Sequence, residues 1–136
     1  MDNKALNYLS LARKGGMAEL GEEPVGAAAR AGKAYVILVA SDASDHTWRR
    51  AKSFAAGTEQ QCVRLDCTKD EMGFAIGRTS LAIAAITDVS LALALVKSLS
   101  KADPQVLEVL SVKAAKAKKR QAEAKAHQRN IRKGKK

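Results

Sequence analysis

Cys62 and Cys67 are the only thiols of the chain, and His46 and His127 its only imidazoles. A closed zinc site needs four ligands held at short, paired spacings. A single Cys-x4-Cys pair with two scattered histidines does not make that set. No metal site is expected, and the cysteines read as reduced thiols rather than a disulfide framework. His46 stands near Asp42 and Asp45 without a matched serine or cysteine nucleophile, so it reads as a residue of a helix-cap region rather than a base. Gly73 to Gly77 lacks the Lys-Ser/Thr pair that completes a phosphate loop, and Gly15-Gly16 reads as a helix stop. The pattern therefore predicts no catalytic residue, no cofactor and no enzyme.

Two other patterns carry binding chemistry. Gly21 is followed at once by Glu22, Glu23 and Pro24 at a predicted helix start. A helix N-terminus offers unpaired N–H groups and positive potential. It also suits acidic residues in its first turn, the ordinary structural role of Glu22 and Glu23. The second pattern is electrostatic. The chain carries a net charge of +10 over 136 residues. Residues 113–136 hold 11 lysines and arginines against one acid, Glu123, while residues 1–112 hold 13 of each sign. A neutral domain is followed by a basic tail. Such a tail can neutralise several phosphates, adding affinity but little sequence information.

The elements that must position these residues are legible from period and caps. Asp2 or Asn3 caps a first helix with Leu6, Leu9 and Ala12 on one face. A very short strand follows at 17–19. Gly21 opens a second helix, Pro24 fits its first turn, and Ala31-Gly32 closes it. Tyr35–Ala40 and Leu81–Ile86 are continuous apolar runs, as in strands buried on both faces. Between them come a helix over 46–56, a short strand over 62–65, and a helix over 69–76 that opens on a Thr68…Glu71 capping box. Asp88 or Ser90 starts a fifth helix ending near Ser100, in which Leu91, Leu95 and Leu99 face the core.

Alternating helices and buried strands predict an α/β fold, a three-layer α-β-α sandwich with a mixed central sheet over residues 1–102. Asp103-Pro104 starts a further helix, and residues 103–136 form a basic, helical or disordered tail. Val106, Leu107, Val109, Leu110 and Val112 can still pack on the domain. Beyond Lys113 nearly all apolar residues are alanine. That composition favours helix, and like charges oppose it.

Alanine accounts for 26 residues, while only five are aromatic: Tyr8, Tyr35, Trp48, Phe54 and Phe74. So few aromatics argue against a stacking platform for single-stranded RNA. Trp48, at helical spacing from Ala51, Lys52 and Ala55, reads as packing. The apolar run Leu81–Val96 is broken by Thr87, Asp88 and Ser90 and is too short for a bilayer. The polar start MDNKALNY lacks a signal-peptide core. No membrane partner is expected, and the location is expected to be cytoplasmic.

The order of these pieces resembles the kink-turn RNA-binding superfamily of large-subunit ribosomal proteins, the L-seven-Ae and L-thirty-e group. Its short bacterial YlxQ-like members are the nearest in look. The resemblance covers residues 5–99. Its carriers are Leu9-Ser10-Leu11-Ala12-Arg13-Lys14, then Gly21-Glu22-Glu23, then Gly32-Lys33-Ala34 leading into Tyr35–Ala40. Ser41-Asp42-Ala43-Ser44 and Thr47 follow. Last come Met72-Gly73-Phe74-Ala75-Ile76-Gly77-Arg78 and the run Leu81–Asp88.

The resemblance implies a non-enzymatic protein that binds structured, kink-turn-like RNA, with ribosomal RNA as ligand and the ribosome or its proteins as neighbours. It implies an RNA surface made by Lys14, Gly21, Glu22, Glu23, Lys33, Arg78, Thr79 and Ser80. Lys116, Lys118, Lys119, Arg120, Arg129 and Arg132 of the tail would add phosphate contacts. The chain departs from the family pattern at three positions. Glu23 replaces the family's asparagine, Pro24 its glutamate, and Ala27 its lysine, so one phosphate contact is missing. The departures admit a second expectation, a protein-interaction module of the same fold that holds nucleic acid only loosely through the tail.

Overall fold

The structure, a computed structural model, describes residues 3–134, with side chains through residue 127. Its elements run α1 (Lys4–Lys14), β1 (Ala18–Leu20), α2 (Glu22–Arg30), β2 (Val36–Val39) and α3 (Asp45–Ala55). They continue with β3 (Gln61–Arg64), α4 (Lys69–Ala75), β4 (Ile83–Ile86), α5 (Val89–Lys97) and α6 (Pro104–Gly134).

Local chemistry sets most of the boundaries. Asn3 accepts from the amides of Ala5 and Leu6, so it is the cap of α1; Asp2 lies outside the described residues. The Ser44 hydroxyl caps α3 through Thr47 N–H, and Asp88 caps α5 through Leu91 N–H. Thr68 and Glu71 form both halves of the capping box at α4. The expected spans shift by about one residue at β1, β3 and α3, and α5 stops at Lys97 rather than near Ser100. Ser98 ends it, its hydroxyl donating back to the carbonyl of Leu95.

The four strands form one sheet in the order β1-β4-β2-β3. β4 runs antiparallel to both neighbours, with Ala18 opposite Ile86 and Val39 opposite Ile83. β2 and β3 are parallel, Val36 facing Gln61. The central strands β2 and β4 are buried throughout, as an apolar run requires when helices cover both faces. α2 and α3 pack on one face, while α1 and α5 pack on the other, flanked by α4 and α6. The core gathers Leu9, Val25, Ile37, Leu38, Met72, Ile86 and Leu95. Burying such a side chain contributes about 1.5–3 kcal/mol.

The tail is one continuous helix. α6 spans 31 residues, about 46 Å at 1.5 Å per residue. Its first part belongs to the core: Val106, Leu110 and Ala114 are buried, and Leu107 packs against them. Val112, expected to pack, is 47% exposed, because the buried stripe runs through positions 106, 110 and 114 and turns it outward. From Ala115 to His127 all residues but Ala117 are exposed.

Strand direction gives the sheet two unlike ends. β1, β2 and β3 all finish at the end where α2, α3 and α4 begin. At the other end α1 and α2 finish, β2 and β3 start, and β4 stops.

Candidate nucleic-acid interface

The first end is organised by Gly21. It adopts φ +95° and ψ 162°, a backbone region open essentially to glycine alone. In that conformation its N–H donates to the carbonyl of Ile83, at 3.0 Å, and its carbonyl accepts from Val25 N–H. Gly21 is thus hydrogen-bonded to the start of β4 while it opens α2. No side chain caps this helix. Pro24 has no N–H to leave unpaired. The amides of Glu22 and Glu23 therefore face outward at a positive helix terminus.

Arg78, Thr79 and Ser80 come to the same end. They form the exposed loop between α4 and β4, five residues or fewer ahead of Ile83. Gly73 holds this loop. A Cβ there would lie 2.6 Å from Ser80 N and 2.9 Å from the Arg78 carbonyl oxygen, so only glycine lets α4 sit against the loop backbone. The Arg78 N–H donates to the Gly73 carbonyl at 2.8 Å. One position along, Phe74 is 87% exposed, the most exposed large apolar side chain among those described.

Glu22 is not a bare carboxylate. Arg50 on α3 donates to it through Nε at 2.7 Å, and His46 Nε2 lies 3.9 Å away. The Arg50 guanidinium also covers the ring of Phe54, at 5.1 Å, and Phe54 fills the space that glycine leaves at Gly26. A residue 28 positions away thus offsets the charge that the sequence placed at the α2 terminus. The sequence offered no sign of Arg50, His46 or Gly73 as site residues beyond the placement of Gly73 in the 72–78 motif. Trp48 is packing, as expected: Lys52 and Arg64 both lie over its ring, at 5.3 Å and 5.0 Å.

Lys14 and Lys33 do not join Gly21 and Arg78. They stand at the opposite end of the sheet, where α1 and α2 finish. The reason is strand direction. β1 carries the chain from Lys14 across to Gly21, and nine-residue α2 brings it back about 14 Å to Lys33. A shallow groove of about 420 Å³ follows α2 along the β1 edge between the two ends, lined by Pro24, Ala27, Glu19 and Lys33. The position of the missing lysine, Ala27, is in its wall.

The tail residues Lys116, Lys118, Lys119 and Arg120 are exposed along α6. The side chains of Arg129 and Arg132 lie outside the described residues. Lys113, one turn earlier, seats the helix: its ammonium lies 3.1 Å from Glu59 and 5.8 Å from the Tyr35 ring centre. The Lys113 contact, a hydrogen bond first and charge attraction second, lowers the Glu59 carboxyl below its ordinary pKa.

The thiols are placed for packing. Burial pushes Cys62 up to about 11. Cys67 is raised by burial and then by Glu71, against the hydrogen bond it accepts from Asn3. Among the described residues, no three His, Cys, Asp or Glu side chains gather as a metal set. Among the same residues, no helix is long and apolar enough to cross a membrane.

No protein-family model and no curated protein matches the chain. Solved structures do. A protein of unknown function from Bacillus halodurans superposes with a TM-score of 0.68 at 22% identity, over 74% of this chain and 100% of that one. The Giardia lamblia 15.5 kD RNA-binding protein superposes with a TM-score of 0.61 at 15% identity, over 77% of this chain and 92% of that one. Both likenesses are of fold.

Proposed function

We propose that this chain is a non-enzymatic RNA-binding protein of the kink-turn superfamily, acting in a bacterial cytoplasm on structured RNA, ribosomal RNA foremost. The observation that carries the reading is Gly21. Its glycine-only geometry, bonded to β4, aims the bare α2 terminus outward beside the Arg78–Ser80 loop. A fold shared with an RNA-binding protein supports it. In open α/β sheets, ligands also collect outside the carboxyl ends of the strands, and three of the four strands end here.

The amides of Glu22 and Glu23 donate to RNA acceptors, and the Glu23 carboxylate accepts from guanine edges. Arg78 meets phosphate. Phe74 offers its exposed ring to an unstacked base, an interaction worth about 1–3 kcal/mol. Recognition is by shape, selecting a bent form the RNA already samples.

The acids gathered at this end and the exposed Phe74 favour a second reading, an interaction module for a protein partner. Titration of the full chain with a kink-turn RNA, and with the same RNA after its G·A pairs are disrupted, separates the two. The first reading expects at least about tenfold preference for the intact RNA, 1.4 kcal/mol, reduced in Phe74→Ala, and weaker binding of both RNAs in Arg78→Ala. Equal binding of both RNAs, unchanged by either substitution, would overturn the first reading and leave the second standing.

A further inference from the structure

We infer that the end of the domain opposite Gly21 is a second RNA surface. It takes the phosphate backbone of a helical stem on Lys14, Lys33 and Lys116 and passes it to α6. The inference goes beyond the α2 reading and stands without it.

The fold assembles this surface from four separate segments. Lys33 and Gly16, two residues past Lys14, line one end of the same groove with Thr87. Lys113 reaches over Tyr35, two residues past Lys33, and Lys116 follows one turn along α6. Lys14, Lys33 and Lys116 are all exposed.

Their mounts are rigid. The buried side chain of Gln60 donates to the Ala29 carbonyl at 3.1 Å and accepts from Ala34 N–H at 3.0 Å, clamping the chain on both sides of Lys33. Lys33 N–H itself closes the end of α2 by donating to Ala28, after Gly32 turns through φ +70°. α1 ends the same way. Met17 N–H donates to the Ala12 carbonyl at 2.7 Å and Gly16 turns through φ +71°, which fixes the exit of Lys14.

Five acids border this surface. Glu59 is paired with Lys113, and Asp88 caps α5. Glu19 lies on the β1 edge, and Glu108 and Glu123 line grooves with Lys116 along α6.

The chemistry selects backbone rather than bases. The ammonium groups are point charges without a planar fork, and the one aromatic ring here, Tyr35, is already covered by Lys113. Beyond it, Lys116, Lys118, Lys119 and Arg120 step round α6 at about 100° per residue, so cations face several sides of one rod. A rod charged all round suits phosphates that flank it on two walls, as in the deep, narrow major groove of A-form RNA.

The test compares the full chain with the double variant K14Q/K33Q and with a control of equal charge loss at the other end, K4Q/K101Q. Each is titrated with a plain RNA duplex of more than two turns, between about 0.05 and 0.2 M salt. Circular dichroism checks that all three remain folded. The expected result is a log-affinity against log-salt slope shallower by about 1.4–1.8 in K14Q/K33Q, at about 0.7–0.9 per lost phosphate contact. The control keeps the slope of the unaltered chain.

An unchanged slope in K14Q/K33Q overturns the inference. So does an equal loss in both doubles, which would reflect net charge alone, and so does a full chain that does not bind duplex. The preference for an intact over a disrupted kink-turn reads the Gly21 end and is expected to survive K14Q/K33Q. The two readings can therefore fail separately.

Discussion

The two ends of this sheet differ in backbone polarity before they differ in charge. At the Gly21 end, α2, α3 and α4 present their N-termini, and Glu22, Glu23, Asp45, Asp70 and Glu71 occupy the first turns. At the other end α1 and α2 present their C-termini, and Arg13, Lys14 and Arg30 occupy the last turns. Each sign complements the helix dipoles, worth about 0.3–1 kcal/mol per group. The charge map of the domain is therefore partly a map of helix direction, and charge alone does not identify a binding site. Geometry separates the ends further. One end holds a glycine-only turn, a loop that a second glycine seats and an uncovered Phe74. The other holds clamped lysines and the root of a cationic helix.

The largest effect is expected at that root. Leu110 is fully buried where α6 packs on the domain. Leu110→Ala should cost about 2–5 kcal/mol in urea or thermal unfolding. A cost below about 0.5 kcal/mol, typical of surface positions, would detach α6 from the core and merge the two-ended picture into a domain with a loose tail.

Gly73→Ala strikes the other end. The added methyl meets the backbone of Ser80 and Arg78 rather than a flexible side chain. Such overpacking costs about 1–3 kcal/mol. The RNA readouts sharpen the comparison: the intact kink-turn preference should fall while plain duplex binding is kept. Loss of both together would mean that the ends act as one surface.

The smallest effect is a titration. The folded carboxyl of Glu59 is held below its unfolded value by Lys113. Its contribution is complete above the ordinary glutamate range and is lost as the pH falls through the lowered value. NMR titration should find Glu59 depressed in the full chain and returned toward normal in Lys113→Met. An ordinary value in the unaltered chain would mean that the pair does not hold the α6 root in solution.

The elements themselves were legible because their signals are local. The Thr68…Glu71 box, the caps at Asn3, Ser44 and Asp88, and the all-apolar runs each act within a few residues, so β2, β4 and α4 fall where pattern places them. The candidate site was legible in part. Gly21, Glu22, Glu23 and Arg78–Ser80 do meet at one end. Lys14 and Lys33 belong to that group only through the family resemblance, and strand direction sends them to the other end. Arg50 left no local trace, since it meets Glu22 from another helix.

The sequence by itself determined where helices and strands start, which strands are buried on both faces, and that a neutral domain carries a basic extension. Those properties depend on hydrogen-bond caps and side-chain periods that a few neighbouring residues satisfy among themselves. Only the tertiary structure decided the strand order, the end to which each lysine falls, the pairing of Glu22 with Arg50, and the seating of α6 through Leu110 and Lys113. Those depend on the direction in which each strand enters the sheet. That direction is set by how the apolar faces of all the elements are buried together, a condition no short stretch of the chain contains.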